Sequence, residues 1–165
     1  MRTAIEFASH PANLSLVRDF VRQFLKMTAF DETEKDLMVL GVDEACTNVI
    51  RYAYQHRCDQ LIHLVCERQK TQIVFRLRDF GSQCEPDKLC GRPLDLVQPG
   101  GLGIHLIRRA FNEVDYILKK QGTELVAVQR GNLEMAMLPP SDFAKQAAEF
   151  DILGAAYVVG DADHL

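Results

Sequence analysis

Residues 43–54 of the chain read DEACTNVIRYAY and close a segment with helical spacing. Asp31, followed three residues later by Glu34, has the form of a capping box, so we predict a helix from there to about Tyr54. Five residues form its apolar core stripe: Met38, Val42, Ala45, Val49 and Tyr52. A second stripe lies about 100° around the helix, begins apolar and turns polar, which indicates the edge of a pocket. Its members are Leu37, Gly41, Glu44 and Asn48.

The segments on both sides of this helix predict a sheet. A first amphipathic helix begins at Leu14, and a third carries Ile104, Ile107 and Phe111. The strand candidates, the last four of which pair as two hairpins, are residues 2–8, 61–66, 73–79, 114–118 and 124–129. This order groups the helices against one face of a mainly antiparallel sheet, so we predict an α+β fold, a two-layer sandwich.

The length of 165 residues, 47% of them hydrophobic, fits one globular domain. We assign residues 1–140 to this domain and residues 141–165 to a C-terminal extension of unknown role. Within this extension, residues 142–150 predict a short helix. Residues 80–99 contain three prolines and two glycines with little periodicity, which makes them a candidate lid.

Composition argues against several classes of function. The chain has 19 basic and 23 acidic residues, so it lacks the basic excess of a nucleic-acid binder. It has no apolar run of the roughly 20 residues that a membrane helix needs, and no apolar N-terminal signal. We therefore expect a cytoplasmic protein that binds neither nucleic acid nor membrane. Its five cysteines include no CxxC pair, and reduced thiols in the core are the preferred interpretation over a metal site.

Glu44 and Asn48 lie four residues apart, so a carboxylate and an amide project side by side from the predicted helix. Magnesium prefers oxygen ligands and usually keeps several waters while it holds substrate phosphates, so the Asn48 carbonyl is a plausible single protein ligand. Glu44 would then be free to accept a proton. Taken alone, Glu and Asn at this spacing more often form an ordinary solvated helix face.

Asp79 ends an apolar strand face and is followed by Phe80 and Gly81. A carboxylate at the bottom of an apolar pocket can accept a hydrogen bond from an exocyclic amine such as that of adenine. The alternative is an aspartate that caps the turn. Although the letters D-F-G also occur in eukaryotic kinases, the chain has neither their glycine-rich loop before a strand lysine nor an H-R-D loop.

Gly100, Gly101 and Gly103 lie where the candidate lid meets the third helix. Glycines at a helix start let backbone N–H groups face phosphate oxygens without obstruction by side chains. A purely structural helix cap is the alternative.

In this order, the three elements resemble the N-box, G1 box and G2 box of the GHKL ATPase superfamily. The resemblance covers roughly residues 5–138 and is closest to the anti-sigma factor serine/threonine kinases. It rests on residues 43–54, on residues 78–81 (RDFG) and on residues 100–107 (GGLGIHLI).

This resemblance implies that residues 1–140 form a histidine-kinase-like ATP-binding domain, with ATP and Mg²⁺ as cofactors. It implies that Glu44 is the general base, that Asn48 binds magnesium and that Asp79 holds the adenine amine. The nucleotide-binding residues that it implies are Asn48, Asp79, Gly81, Gly100, Gly101, Gly103 and Thr123.

Two positions depart from the family pattern: Gln83 replaces a frequent glycine, and Tyr52 replaces a frequent histidine. Neither change removes a group that touches phosphate or metal, so they bear on turnover more than on binding. Arg92, Arg108 and Arg109 are candidates to neutralise charge on a transferring phosphoryl group, with ordinary surface arginines as the alternative.

The leading hypothesis is an ATP-dependent protein serine/threonine kinase. By resemblance it phosphorylates a STAS-type anti-sigma factor antagonist, with a sigma factor as a further partner and a homodimer as the expected assembly. The main alternative is a regulatory module that holds nucleotide and acts only by docking. A third hypothesis, the ATP-binding half of a histidine kinase, lacks a phosphoacceptor histidine in the first helix, since His10 precedes it.

Overall fold

The computed structural model describes residues 1–83, 102–131 and 156–159. Most of the candidate lid and the predicted helix over residues 142–150 lie outside these ranges. The helices are α1 (Asn13–Lys26), α2 (Glu32–Asn48) and α3 (Leu102–Ala110), with a π-helical segment (Val49–Ala53) directly after α2. The strands are β1 (Arg2–Ala8), β2 (Leu61–Arg68), β3 (Gln72–Arg78), β4 (Glu113–Leu118), β5 (Thr123–Arg130) and β6 (Ala156–Val159).

The described strands form a six-stranded sheet in the order β4-β5-β3-β2-β1-β6. Each neighbouring pair is antiparallel. The predicted α+β class and its five strands are confirmed. Strand β6 was not predicted, because four residues are too few to show a clear alternation of apolar and polar side chains.

The core lies between one face of the sheet and the helices. Alternate side chains of β3 are buried there, and the predicted shared face of Ile73, Phe75, Leu77 and Asp79 is confirmed. The ring of Phe75 contacts Phe24 of α1 at a centroid distance of 5.8 Å and Phe111, just after α3, at 5.6 Å. The sandwich therefore has its helices packed on one face.

The predicted capping box is confirmed at the start of α2. Asp31 accepts a hydrogen bond from the Glu34 N–H at 2.8 Å, and the Glu34 side chain accepts one from the Asp31 N–H at 3.1 Å. These two bonds satisfy backbone N–H groups that have no partner within the helix and fix where α2 begins.

The prediction of the core stripe is wrong for one residue, Tyr52. Met38, Val42 and Ala45 are buried, but Tyr52 is 55% exposed, and Tyr54 is buried instead. The cause is the π-helical segment, in which the Tyr54 N–H bonds to the Val49 carbonyl five residues back. This wider turn inserts a residue, so an α-helical spacing no longer predicts the buried side.

Other features of the described chain bear on the class of protein. Cys46 and Cys66 are buried free thiols, whereas Cys58 is exposed. Burial raises the pKa of both buried thiols. Among the described residues, the helices are too short or too polar to cross a membrane.

Candidate functional site

Helices α2 and α3 approach closely enough to bring Gly103 against Glu44. A methyl group placed on Gly103 would lie 2.6 Å from Glu44 Cδ and 2.9 Å from Cγ, both inside normal contact distance. Further along the same interface, a methyl group on Gly41 would lie 2.7 Å from the Ala110 Cβ atom. Gly41 and Gly103 have no side chains, and this permits α2 and α3 to pack closely. The close packing brings Glu44, the predicted base, next to the start of α3.

Glu44 is half-buried and its surroundings favour its neutral form. Burial raises the pKa of its carboxyl, the nearby Arg51 charge opposes this shift, and the neighbouring Asp43 adds to it. Asp43 itself pairs with Arg18 of α1, with Nη1 and Oδ1 2.9 Å apart. A carboxylate with a raised pKa is better matched to accepting a proton near neutral pH.

Asn48 is the last residue of α2 and lies one helical turn beyond Glu44. It is half-buried and directly precedes the π-helical segment, a kind of turn that often occurs at functional sites. Within residues 1–83 and 102–131, no group of three or more His, Cys, Asp or Glu side chains is placed to hold a metal ion. The donor chemistry suits magnesium held through one amide oxygen together with phosphate and water oxygens.

Asp79 forms the centre of a second part of the site. The residue is 4% exposed, and its Oδ1 atom accepts a hydrogen bond from the Gly81 N–H at 2.9 Å. Burial raises the pKa of this carboxyl, while hydrogen bonds from the backbone of Gly81 and Thr123 and the charge of Arg78 act in the opposite direction. The predicted residues Asp79, Gly81 and Thr123 thus lie together.

The register of the sheet explains why Thr123 reaches Asp79. Arg78 pairs with Glu124 across β3 and β5, so the next position places Asp79 opposite Thr123. The Asp79 N–H donates to the Thr123 carbonyl at 3.0 Å. Gly122 precedes this contact with φ +67°, and a methyl group on it would lie 2.6 Å from the carbonyl carbon of Asp79. Glycine is the residue that tolerates both conditions.

Tyr54 links the end of the π-helical segment to the Asp79 loop. Its hydroxyl donates to the Leu61 carbonyl at 2.5 Å and accepts from the Phe80 N–H at 2.8 Å. Beside it, the Ser82 N–H donates to the Ala53 carbonyl at 2.9 Å. Sequence reasoning missed Tyr54, because a tyrosine that ends a helix shows no pattern that predicts which backbone groups its hydroxyl will meet.

The described structure does not test the roles predicted for several other residues. Gly100, Gly101 and Arg92 lie outside the described residues. Arg108 and Arg109 are exposed in the last turn of α3, with Arg108 about 8 Å along the helix axis from Gly103 at 1.5 Å per residue. Their predicted role in phosphoryl transfer stays a prediction.

Two comparisons with known proteins bear on the family of the chain. Residues 7–129 match the model of the histidine kinase-like ATPase domain. The chain is also 28% identical over 83 residues to the serine/threonine-protein kinase BtrW of Bordetella bronchiseptica. That match covers 48% of this chain and 58% of the relative, so the chain spans somewhat more than half of that relative's length. The family predicted from the three motifs is confirmed, and the chain belongs to the histidine kinase-like ATPase domain family.

Proposed function

We propose that the chain is an ATP-dependent protein serine/threonine kinase of the anti-sigma factor type. Its phosphoacceptor is a STAS-domain antagonist protein, a sigma factor is a further partner, and the working form is a homodimer. The observation that carries the proposal is the contact between Glu44 and Gly103, with Asn48 one turn along the same helix. The match to a relative named as a serine/threonine kinase supports the type of reaction.

In this proposal one part of the site binds the adenine base and the other binds the phosphates. Asp79 is a buried acceptor whose position is fixed by the Gly81 N–H, which suits recognition of the adenine amine. Gly103, with Gly100 and Gly101 before it, lies where a helix start favours phosphate oxygens. Thr123 adds a hydroxyl-bearing residue next to Asp79. ATP therefore spans from the Asp79 loop to the start of α3 in this proposal.

Asn48 would hold the magnesium ion through its amide oxygen. A bound magnesium ion supplies neutralisation of the charge on phosphate oxygens. Phosphoryl transfer otherwise depends mainly on positioning, because little covalent chemistry is left to the protein. Glu44 orients the serine or threonine hydroxyl of the acceptor and accepts its proton, a role for which its raised pKa is suited.

The proposal is tested by incubating the chain with γ-labelled ATP, magnesium and a purified STAS-domain protein. We expect acid-stable label on a serine or threonine of the acceptor, and none with Asn48→Ala. Full transfer by Asn48→Ala would refute the assignment of the metal-binding residue and with it the mechanism.

The docking alternative has a different signature in the same assay. A module that acts only by docking would bind the acceptor protein equally well as the unmodified chain and as Glu44→Ala. Neither form would transfer phosphate. Acid-labile phosphohistidine on the chain itself would instead favour the histidine kinase alternative. Neither pattern is compatible with the proposed kinase.

A further inference from the structure

Gln83 occupies a position where this family often has glycine, and its side chain makes two hydrogen bonds. Its Nε2 atom donates to the Lys119 carbonyl at 2.6 Å and to the Gly122 carbonyl at 2.8 Å. A carboxamide has two N–H donors, so both are used on the turn between β4 and β5. The side chain therefore ties the residues after Asp79 to the turn that leads into Thr123.

Two further side chains connect the same pair of segments. Gln121 Nε2 donates to the Phe80 carbonyl at 3.1 Å. Arg78 donates from Nη2 to the Gln121 carbonyl at 2.5 Å and from Nη1 to the Thr123 carbonyl at 3.1 Å. The guanidinium of Arg78 also lies 4.4 Å from the ring centre of Phe80. We call the side chains of Arg78, Gln83 and Gln121 the clasp.

The clasp acts on the part of the turn that contacts Asp79. The Gly122 carbonyl accepts from Gln83 and also from the Lys119 N–H at 3.2 Å, which fixes the peptide that leads into Thr123. The Thr123 carbonyl in turn accepts a hydrogen bond from the Asp79 N–H at 3.0 Å, and Gly122 packs against the Asp79 backbone. Holding Gly122 thus holds the Asp79 backbone, from which the carboxylate projects.

We propose that Gln83 is a positioning residue for adenine recognition: it holds the Gly122–Thr123 turn against the backbone of Asp79 and so fixes where the Asp79 carboxylate lies. The inference rests on the proposed nucleotide site and adds a determinant of base specificity to it. Gln83 touches no part of the reaction itself. Its effect is confined to the contact between Asp79 and the exocyclic amine of the base.

The test replaces Gln83 with glutamate, which has the same shape but no N–H donor and repels the two carbonyl oxygens. The control is Gln72→Glu, which makes the same change at the far end of β3, where the Gln72 amide donates only to Gln69 at 2.6 Å in the described contacts. Calorimetry gives the Kd for ATP and for inosine triphosphate, which lacks the exocyclic amine, and a thermal melt gives the Tm.

We expect Gln83→Glu to lower the preference for ATP over inosine triphosphate about fivefold, the size of one lost hydrogen bond. Gln83→Gly removes the donors without adding charge, so it should lower the preference in the same direction by a smaller factor. Gln72→Glu should keep the unmodified preference.

Two results would overturn the inference, and they differ in what else they refute. A lower Tm with an unchanged preference in Gln83→Glu would assign Gln83 a structural role only. Failure of the unmodified chain to bind ATP would refute the proposed function as well. Because the second result appears before any substitution is made, the two failures are distinguishable.

Discussion

Replacing Gly103 with alanine tests the contact between α3 and the proposed base. The added methyl group would lie 2.6 Å from Glu44 Cδ and 2.9 Å from Cγ. Atoms in contact are rarely closer than 3.0 Å. Because these atoms belong to the outer part of a flexible side chain, the carboxylate can turn away while both helix backbones stay in place. The perturbation therefore acts on the position of Glu44.

The expected cost is catalytic and leaves folding nearly unchanged. Moving Glu44 off its preferred rotamer costs about 0.5–1.5 kcal/mol. Gly103 is the second residue of α3, so alanine there recovers at most the about 0.5–1 kcal/mol that it gains over glycine in a helix interior. The net change in stability is therefore small, and the Tm should change by only a few degrees. Misplacement of a catalytic group by about 1 Å can reduce the rate by about 10²-fold.

The assay measures phosphate transfer from ATP to a STAS-domain protein, with a melt of each variant alongside. We expect Gly103→Ala to reduce kcat about 10²-fold, and the double variant with Glu44→Ala to be no slower than Glu44→Ala alone. Unchanged kcat, or a loss that adds fully to that of Glu44→Ala, would show that the methyl group does not act through Glu44.

Two further predictions follow from the same contacts. Because the pKa of Glu44 is raised and its ionised form is the base, transfer should fall as the pH drops through that raised value, at a higher pH than for an ordinary glutamate. In Arg51→Gln, which removes the charge that lowers this pKa, the fall should occur at higher pH still; a profile of kcat against pH that does not move would contradict this. Tyr54→Phe leaves the Phe80 N–H without its acceptor, so urea denaturation should show a loss of about 1–3 kcal/mol, and a variant as stable as the parent would show that the hydroxyl contributes nothing.

The fold was largely predictable because its helices and most of its strands have strong local patterns. The capping box at Asp31 and the alternation in β3 each follow from neighbouring residues alone. Tyr52 was misplaced because the π-helical turn depends on contacts made elsewhere, including the link from Ala53 to Ser82. A local spacing rule cannot anticipate a turn that the tertiary structure imposes.

The sequence supplies candidate site residues, but it does not predict the contacts between them. The spacing of Glu44 and Asn48 places them on one helical face, and the sequence order supplies Asp79. The approach of Gly103 to Glu44 depends on how α2 packs against α3, two helices far apart in the chain. The same holds for Gln83, whose partners lie 36 and 39 residues away.

A calorimetric titration with ATP analogues, with and without magnesium, measures whether the chain has the proposed nucleotide site. We expect the unmodified chain to bind in a magnesium-dependent manner, Asn48→Ala to lose the magnesium dependence, and Asp79→Asn to lose binding of the adenine nucleotide. No binding by the unmodified chain at millimolar nucleotide, or full binding by both variants, would contradict the account.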